Sequence, residues 1–373
     1  MERTVSTNRA AVPDLAAIEV AAIHDAERDL TSLSADEQLS LIQQHADAIV
    51  TAPELGKRLA ESKKSGKPLR IKFGIDPTAA ELHLGHAVPL RVLRLLQRMG
   101  HKIVLIFGDF TATIGDPSGR SKERPVLTAA QVKANVRRYE QQAALFVDVG
   151  KAEVRFNREW HAKLKMDELF SYLRLQTVAQ AMEREDFRER AKTRAGVTRA
   201  ELLYATLQAI DSVKVGADVE VGGRDQLLNL LEGRELMSRL TLTPQTVVTF
   251  PLLPGTGGTG AKMSKSAANF IPVSAGAAEV YGAVMAVADK DLPTYLRLLT
   301  DVDAKGRNIL DHALKTRSLN PKQIKQLVAR LVTRLIHPND RRGCCCRGRL
   351  GANLLSPRGP DYCSDRHPRP QKS

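Results

Sequence analysis

The sequence predicts an α/β protein built on a doubly wound parallel sheet and followed by a smaller all-helical domain. Leu69 to Ile75 alternates apolar and polar residues, and Lys102 to Phe107 is an almost continuous apolar run. Between them, Gly85 to Met99 has the apolar spacing of an amphipathic helix. Strand, helix and strand in succession are typical of a parallel βαβ unit. From Ala277 to Ile336 the spacing is helical only, which predicts the second domain.

The N-terminal part precedes the sheet. Residues 1–13 are polar, and we expect them to form a loose arm. From Ala10 to Ala60 the apolar spacing is mostly helical, and Ser34 with Glu37 has the pattern of a capping box. Residues 1–34 are therefore predicted to be a partly disordered extension.

The remaining elements follow the βαβ unit. Gly100 is placed to end the first helix of that unit. Residues 128–215 are rich in charge and predicted to be mainly helical. The other predicted elements are a strand at Ala217–Val221, a helix at Asp225–Met237, a short strand at Val247–Phe250 and a mobile glycine-rich loop at Pro254–Gly260. We therefore expect residues 35–260 to form a Rossmann-like domain with a helical insertion at about 128–200, and residues 261–340 to form a loop and helical domain.

Composition and charge narrow the class of protein. The chain has 373 residues, of which 43% are hydrophobic and 26% charged, so it can bury a core and is not disordered throughout. No apolar run approaches the roughly 18–20 residues of a membrane span, and the N-terminus lacks a secretory signal. A cytoplasmic protein with no membrane partner is expected. The net charge of +14 is compatible with a polyanionic partner.

All four cysteines lie near the C-terminus, so a disulfide scaffold is excluded for the rest of the chain. Cys344, Cys345 and Cys346 are adjacent and lack the C-x2-C spacing of tetrahedral zinc sites. A set comprising Cys344, Cys363 and His367 is the alternative, but no metal site is predicted.

The first motif with chemical meaning is His83-Leu84-Gly85-His86, which begins the helix of the βαβ unit. Two imidazoles three residues apart share one helix face at the end where phosphates bind. Gly85 removes a side chain, so a base or phosphate can approach the backbone. A metal-binding pair or two surface histidines are the alternatives.

The second motif is Lys262-Met263-Ser264-Lys265-Ser266, directly after the glycine-rich loop. Two lysines on a mobile segment suit charge that develops only in a transition state. A solvated basic loop is the commoner outcome for such a run. Together with the histidine pair, however, the lysines offer complementary chemistry on one polyphosphate.

The third motif is a polar stripe of Tyr204, Gln208 and Asp211, spaced i, i+4 and i+7 on one helix face. A phenol, an amide and a carboxylate together would be unusual in an apolar core. They suit a pocket that reads the polar end of a small ligand. A solvated helix face is the alternative.

The first two motifs resemble the HIGH and KMSKS signatures of class I aminoacyl-tRNA synthetases, with Leu84 in place of the usual isoleucine. Residues 35–340 resemble the bacterial tyrosyl-tRNA synthetase family in particular. The segments that carry the resemblance are Gly74-Ile75-Asp76-Pro77-Thr78-Ala79, Gly108-Asp109-Phe110-Thr111-Ala112, Gly115-Asp116-Pro117-Ser118-Gly119, the Tyr204, Gln208 and Asp211 stripe, and Gly222-Gly223-Arg224-Asp225-Gln226.

The resemblance implies a tyrosine–tRNA ligase that converts tyrosine and ATP into tyrosyl-adenylate and then charges tRNA(Tyr). It implies catalytic roles for Thr78, His83, His86, Lys262 and Lys265, and ATP contacts from Gly85, Asp225 and Lys265. The implied tyrosine-binding residues are Asp76, Asp116, Tyr204, Gln208, Asp211 and Gln226. Mg²⁺ would accompany ATP as part of the substrate, and the family implies a homodimer, for which residues 150–195 are the expected interface.

Two positions depart from the family pattern. Arg224 replaces a small hydroxyl residue, a change that an outward-pointing side chain would tolerate. Lys72 stands two residues before Gly74, where many members place a tyrosine that contacts the substrate phenol. A second phenol contact is therefore expected to be absent or supplied elsewhere.

Three alternatives remain open at this point. Another α/β nucleotidyltransferase would share the histidine pair, and tryptophanyl-tRNA synthetase is the nearest relative. A non-catalytic RNA-binding relative is the third, although every catalytic side chain is present.

Residues 341–373 change character abruptly. They hold eight basic and two acidic residues, all the cysteines and few large aliphatic residues. One encoding of residues 343–348, shifted by one base, reads as the alanine- and glutamate-rich linker that precedes an S4-like RNA-binding domain in bacterial members. We therefore expect a frameshifted, disordered tail, and a chain that forms the adenylate but charges tRNA weakly.

Overall fold

The computed structural model describes residues 13–79, 81–118, 127–192, 196–265 and 267–338. Within these ranges, one six-stranded sheet forms the centre of the molecule. Its strands are β1 (Ala48–Val50), β2 (Arg70–Ile75), β3 (Lys102–Phe107), β4 (Glu153–Phe156), β5 (Val219–Gly223) and β6 (Thr246–Phe250).

Helices cover both faces of the sheet and form the C-terminal part. Those before the third strand are α1 (Leu15–Glu27), α2 (Ala35–His45), α3 (Ala52–Ser65) and α4 (Leu84–Arg98). Those of the central part are α5 (Ala129–Ala143), α6 (Arg158–His161), α7 (Met166–Leu173), α8 (Val178–Ala181), α9 (Glu185–Lys192), α10 (Arg199–Val215) and α11 (Leu227–Arg239). The last four are α12 (Ala277–Met285), α13 (Leu292–Leu299), α14 (Ala304–Thr316) and α15 (Pro321–Ile336).

The strand order is β1-β6-β5-β2-β3-β4, and every pair except β1 with β6 is parallel. The chain runs outward from β2 through β3 to β4, and then returns to build β5 and β6 on the other side. The predicted doubly wound sheet is confirmed. Its switch point lies between β2 and β5, where ligands bind outside the carboxyl ends of the strands.

The predicted βαβ unit is confirmed as β2, α4 and β3, with Arg70 to Ile75 in register with Lys102 to Phe107. The central strand β3 is buried from Ile103 to Phe107 because helices cover both of its faces. Gly100 follows α4 with φ +91°, a conformation that favours glycine and ends the helix as expected.

One prediction at the N-terminal side is wrong. The helical spacing from Ala10 to Ala60 ran through Ile49 and Val50, which instead form β1, the antiparallel edge strand beside β6. Three residues are too short to show an alternating pattern, so pairing with β6 decides their conformation. The capping box is present: the Ser34 N–H donates to the Glu37 carboxylate at 2.8 Å, and the Glu37 N–H donates to the Ser34 hydroxyl at 3.3 Å.

The insertion at 128–200 is not wholly helical, because it contains β4, which extends the sheet beside β3. A four-residue edge strand with half-buried side chains leaves little signal in a charge-rich sequence. The extension ahead of Ser34 contains helix α1. Helix α1 packs on α15, where Arg330 makes a bidentate ion pair with Glu19 at 2.7–3.0 Å.

Residues 1–12 and the tail at 341–373 lie outside the described residues, so the expectations of a loose arm and a disordered tail are not tested. None of the helices in the described part is long and apolar enough to cross a membrane.

Candidate active site

A cavity of ≈ 790 Å³ opens at the carboxyl ends of β2, β3, β5 and β6, at the switch point of the sheet. Its wall brings together all thirteen site residues that the sequence indicated, from six separate segments of the chain. They are Asp76, Thr78, His83, Gly85, His86, Asp116, Tyr204, Gln208, Asp211, Asp225, Gln226, Lys262 and Lys265.

The histidine motif forms the start of α4. His83 is the N-cap residue, and its Nδ1 accepts a hydrogen bond from the Gly85 N–H at 3.1 Å. The Nδ1 of His86 accepts from the His83 N–H at 3.2 Å, and the two ring centroids are 3.9 Å apart. Both rings therefore occupy the positive end of the helix dipole. A Cβ on Gly85 would lie 2.9 Å from the His83 ring, so glycine is what lets the ring fold back onto the helix.

The charge of His83 follows from this placement. Burial, and then the neighbouring His86 and Lys265, lowers the pKa of His83 to about 2. The imidazole is neutral near pH 7. Because Nδ1 accepts from the backbone, its single proton is on Nε2, where it can donate to a ligand oxygen.

The lysine loop lies directly over the start of α4. The Leu84 N–H donates to the Ile271 carbonyl at 3.0 Å, and the Val273 N–H donates to the Leu82 carbonyl at 3.1 Å. Met263 of the loop is buried, and its Cβ is 3.8 Å from the position that a Cβ on Gly85 would occupy. The loop is therefore anchored by the segment after it.

Both loop lysines already have protein partners. Lys262 makes a 2.7 Å ion pair with Asp225, and the Lys265 ammonium donates to the Glu81 carbonyl. Burial lowers the pKa of Lys265, while the Glu81 carboxylate opposes that shift. The Lys262 and Asp225 side chains are 39% and 24% exposed, so this pair costs little to open.

A cluster of two hydroxyl groups and one carboxylate lines the cavity. The Tyr204 hydroxyl donates to Asp76 Oδ2 at 3.0 Å, and the Thr111 hydroxyl donates to Oδ1 at 2.7 Å. Gly108 makes room for this carboxylate, because a Cβ there would lie 1.9 Å from Asp76 Oδ1. Two fixed donors therefore hold the Asp76 carboxylate at the cavity wall.

Asp116 and Gln226 form a second fixed pair. The Gln226 amide donates to Asp116 Oδ2 at 2.8 Å, and the Ser118 N–H donates to Oδ1 at 2.9 Å. Asn229 donates to the Gln226 carbonyl oxygen at 3.0 Å, and buried Arg184 donates to both Asn229 and Ser118. The insertion thus supports this part of the wall.

Asp211 ends the stripe as a carboxylate that is 4% exposed and held by three side chains. The Trp160 indole and His161 Nε2 donate to Oδ1, both at 2.7 Å, and Asn157 donates to Oδ2 at 3.3 Å. The carboxylate only accepts, so His161 must carry its proton on Nε2. Oδ2 retains an acceptor position toward the cavity.

These three partners of Asp211 were missed by the sequence motifs. Asn157, Trp160 and His161 lie within and just before the short helix α6, beside the edge strand that was also missed. The one available signal was that Trp160 is the only tryptophan of the chain.

The two departures from the family pattern have different outcomes. The Arg224 side chain is 70% exposed and lies 3.5 Å from Asp47. Lys72 does not face the cavity wall at all, because it is fully buried beneath α10 in a 2.8 Å ion pair with Glu220. The side chain at position 72 is therefore not among the groups that line the cavity.

Within the described residues, no group of three or more histidine, cysteine, aspartate or glutamate side chains is arranged to hold a metal ion.

Comparisons with known proteins agree with this geometry. Residues 63–342 match the family of class I tRNA synthetases (W and Y). A tyrosine–tRNA ligase from Thermotoga maritima is 40% identical over 308 residues, which cover 83% of this chain and 76% of that protein. The tyrosine–tRNA ligase of Dehalococcoides mccartyi is 46% identical over 272 residues, covering 73% and 68%.

Solved structures support the fold. A tyrosyl-tRNA synthetase from Archaeoglobus fulgidus is similar with a TM-score of 0.67 and 23% identity, over 82% of this chain and 98% of that one. A mitochondrial tyrosyl-tRNA synthetase from Coccidioides posadasii gives a TM-score of 0.65 at 23% identity, over 86% and 94%. The chain therefore belongs to the class I aminoacyl-tRNA synthetases, within which it is a bacterial-type tyrosine–tRNA ligase.

Proposed function

We propose that the cavity joins tyrosine to ATP and then transfers the tyrosyl group to tRNA(Tyr). The tyrosine carboxylate attacks the α-phosphorus of ATP, which forms the tyrosyl-adenylate and releases pyrophosphate. The 3′-terminal ribose of the tRNA then takes the tyrosyl group. The observation that carries the assignment is one cavity with a buried carboxylate at one end and paired imidazoles and ammonium groups at the other.

At the tyrosine end, Asp211 accepts a hydrogen bond from the substrate phenol through its free Oδ2 position. Asp76, Asp116, Tyr204 and Gln208 surround the substrate α-ammonium, and Gln226 donates to its carboxylate. The side chains around these groups are already hydrogen-bonded to the protein, so binding requires little reorganisation.

At the phosphate end, Thr78 and the imidazoles of His83 and His86 donate to the phosphates as negative charge grows on the pentacoordinate phosphorus. Lys262 leaves Asp225 for the phosphates, which frees that carboxylate for the ribose hydroxyls. Lys265 likewise exchanges the Glu81 carbonyl for a phosphate oxygen. Mg²⁺ accompanies ATP and neutralises part of its charge. No covalent enzyme intermediate is needed, so positioning and electrostatics supply the catalysis.

The proposed assembly is a cytoplasmic homodimer that uses the insertion at 150–195 as its interface. Met166 and Phe170, one turn apart on α7, are 66% and 51% exposed, and Val178 nearby in sequence is 69% exposed. Large apolar side chains so exposed are what a subunit interface covers. Analytical ultracentrifugation of the parent and of the Met166→Glu/Phe170→Glu variant tests this interface. We expect a dimeric parent and a monomeric variant, and a parent that is itself monomeric would contradict the proposal.

The activity is tested by tyrosine-dependent exchange of pyrophosphate into ATP. Exchange with tryptophan instead would indicate the tryptophanyl enzyme, and exchange without any amino acid would indicate another nucleotidyltransferase. An absence of exchange would favour a non-catalytic RNA-binding protein. Charging of tRNA(Tyr) is measured on the same preparation, because the tail composition predicts that charging is weak relative to exchange.

A further inference from the structure

A buried ion pair lies at the tyrosine end of the cavity, where Glu220 is among the lining residues and Lys72 is not. Lys72 on β2 and Glu220 on β5 are cross-strand neighbours at the centre of the sheet, 0% and 1% exposed, with 2.8 Å between Nζ and Oε1. Neither the family motifs nor the proposed chemistry uses Lys72 or Glu220. Buried ion pairs rarely stabilise a fold more than apolar residues of equal volume would, so the presence of this pair needs another reason.

Every polar position of the pair is occupied. The Lys72 ammonium has three partners: Glu220, the Gln208 carbonyl at 2.8 Å and the Ser212 hydroxyl at 2.7 Å. Glu220 Oε1 also accepts from the Gln208 side-chain amide at 3.1 Å, and Oε2 accepts from Ser212 at 3.0 Å and from Gln245. Three donors and four acceptor positions are the full complement of an ammonium and a carboxylate.

The ion pair determines the orientation of the side-chain amide of Gln208, which lines the cavity. A carboxylate can only accept hydrogen bonds, so Glu220 compels the Gln208 amide to turn its NH₂ group toward the sheet. The carbonyl oxygen is then the group left for a ligand. Without Glu220, the amide could rotate by half a turn and present NH₂, which would repel an ammonium group.

We propose that Lys72 and Glu220 are positioning residues that hold Gln208 as an acceptor for the α-ammonium of the substrate. Lys72 fixes the backbone of Gln208 and neutralises Glu220, and Glu220 fixes the side chain. This inference rests on the proposed function, because it takes the ligand to be an amino acid bound at the Tyr204, Gln208 and Asp211 stripe.

The test separates the ammonium from the rest of the ligand. Dissociation constants are measured by calorimetry for tyrosine, for tyramine, which lacks the carboxylate, and for 3-(4-hydroxyphenyl)propionate, which lacks the ammonium. The variant Lys72→Met/Glu220→Met removes the pair at similar volume, a change that buried pairs often tolerate. We expect tyrosine and tyramine to bind about 10- to 100-fold more weakly, as for loss of a hydrogen bond to a charged group, and the propionate to change less than threefold.

A matched control uses a second buried ion pair, which involves α10. Arg190 and Glu201 are 2.7 Å apart and 4% and 5% exposed, and neither lines the cavity. Arg190→Met/Glu201→Gln should change the melting temperature but alter the three dissociation constants by a common factor. In a Gln208→Met background, removing Lys72 and Glu220 should cost no further tyramine affinity if the pair acts through Gln208.

A second variant keeps the test decisive should the apolar pair not fold. Gln208→Glu supplies a carboxylate toward the ammonium but cannot donate to Glu220, so we expect weaker tyramine binding. Equal or tighter tyramine binding would overturn the proposal, as would equal losses on all three ligands in the Lys72→Met/Glu220→Met protein. Failure of the parent to bind tyrosine would refute the proposed function instead, whatever the variants do.

Discussion

The two ends of the cavity are built in different ways. At the tyrosine end, Asp211, Asp76 and Gln208 are each held by at least two protein groups, which come from the sheet, α6, α10 and the turn after β3. At the phosphate end, the lysines lie on a loop. Lys262 forms an ion pair with Asp225, whose carboxylate we assign to binding the ribose of ATP. Rigid side chains suit discrimination between similar amino acids. Exchangeable partners suit charge that appears only during reaction.

This difference teaches where each kind of binding energy is used. Contacts at the tyrosine end act equally on the ground state and the transition state, so they set affinity and specificity. Contacts at the phosphate end strengthen as the α-phosphorus becomes pentacoordinate, so they set the rate. Substitutions at the two ends should therefore separate cleanly in their kinetic effects.

The largest expected effect breaks the tyrosine end. Asp211→Ala should remove most of the discrimination between tyrosine and phenylalanine, because the phenol loses its acceptor. Tyrosyl-tRNA synthetases are themselves the established example of such discrimination, which is roughly 10⁴–10⁵ in that family. The ratio of kcat/KM for the two amino acids in pyrophosphate exchange measures it. Asp211→Asn keeps the side-chain volume as a control, and an unchanged ratio in the alanine variant would remove Asp211 from the pocket.

The second prediction addresses the phosphate end. Lys265→Ala and His86→Ala should slow adenylate formation by about 10²–10³ and leave tyrosine affinity within a few-fold, as for loss of one oxyanion donor. Single-turnover kinetics with equilibrium tyrosine binding separates the two quantities. Lys151, which is 78% exposed and absent from the cavity wall, provides a control in Lys151→Ala. A variant that loses tyrosine affinity instead of rate would contradict the division between the two ends.

The third prediction concerns stability in acid. It sharpens the comparison because the pH change should lower stability without affecting amino-acid selection at the tyrosine end. Burial lowers the pKa of His45 and His101 to about 4 and is the main cause of the pKa near 2 for His83. The unfolded chain binds protons at these imidazoles near pH 6.5 and the folded chain does not, so stability falls as the pH drops from 6.5 toward 4. Each group should contribute about 1.4 kcal/mol per pH unit.

Urea unfolding at pH 7, 6 and 5 measures this slope, and His101→Gln should reduce it by about one proton. The ratio of tyrosine to phenylalanine activation should stay constant over the same range. Stability that is constant or rises on acidification would show that these imidazoles are protonated in the folded state.

The smallest expected effect lies at the start of α4. His83→Ala removes the N-cap acceptor for the Gly85 N–H and should cost about 1 kcal/mol of unfolding free energy. His83→Asn restores a capping side chain and should recover most of that loss without restoring the rate of adenylate formation. If asparagine restored both quantities, the role of His83 would be capping alone.

Whether the sequence predicted a given element depends on how far apart along the chain the interacting residues lie. The elements of the βαβ unit, the capping box and the start of α4 depend on residues within a few positions of one another. Their sequence patterns therefore predict them. The three-residue β1 and the edge strand β4 carry no period of their own, and each becomes a strand only because a distant partner offers backbone hydrogen bonds.

The same distinction between local and long-range interactions applies to the site. By itself, the sequence determined the chemical groups: two imidazoles at a helix start, two lysines after a glycine-rich loop, and a phenol, amide and carboxylate on one helix face. Only the tertiary structure decided how those groups are held, namely the Trp160 and His161 donors on Asp211 and the Glu220 carboxylate that orients Gln208. The physical reason is that a side chain's chemistry is intrinsic, whereas its orientation and charge depend on donors, acceptors and burial supplied by residues far away along the chain.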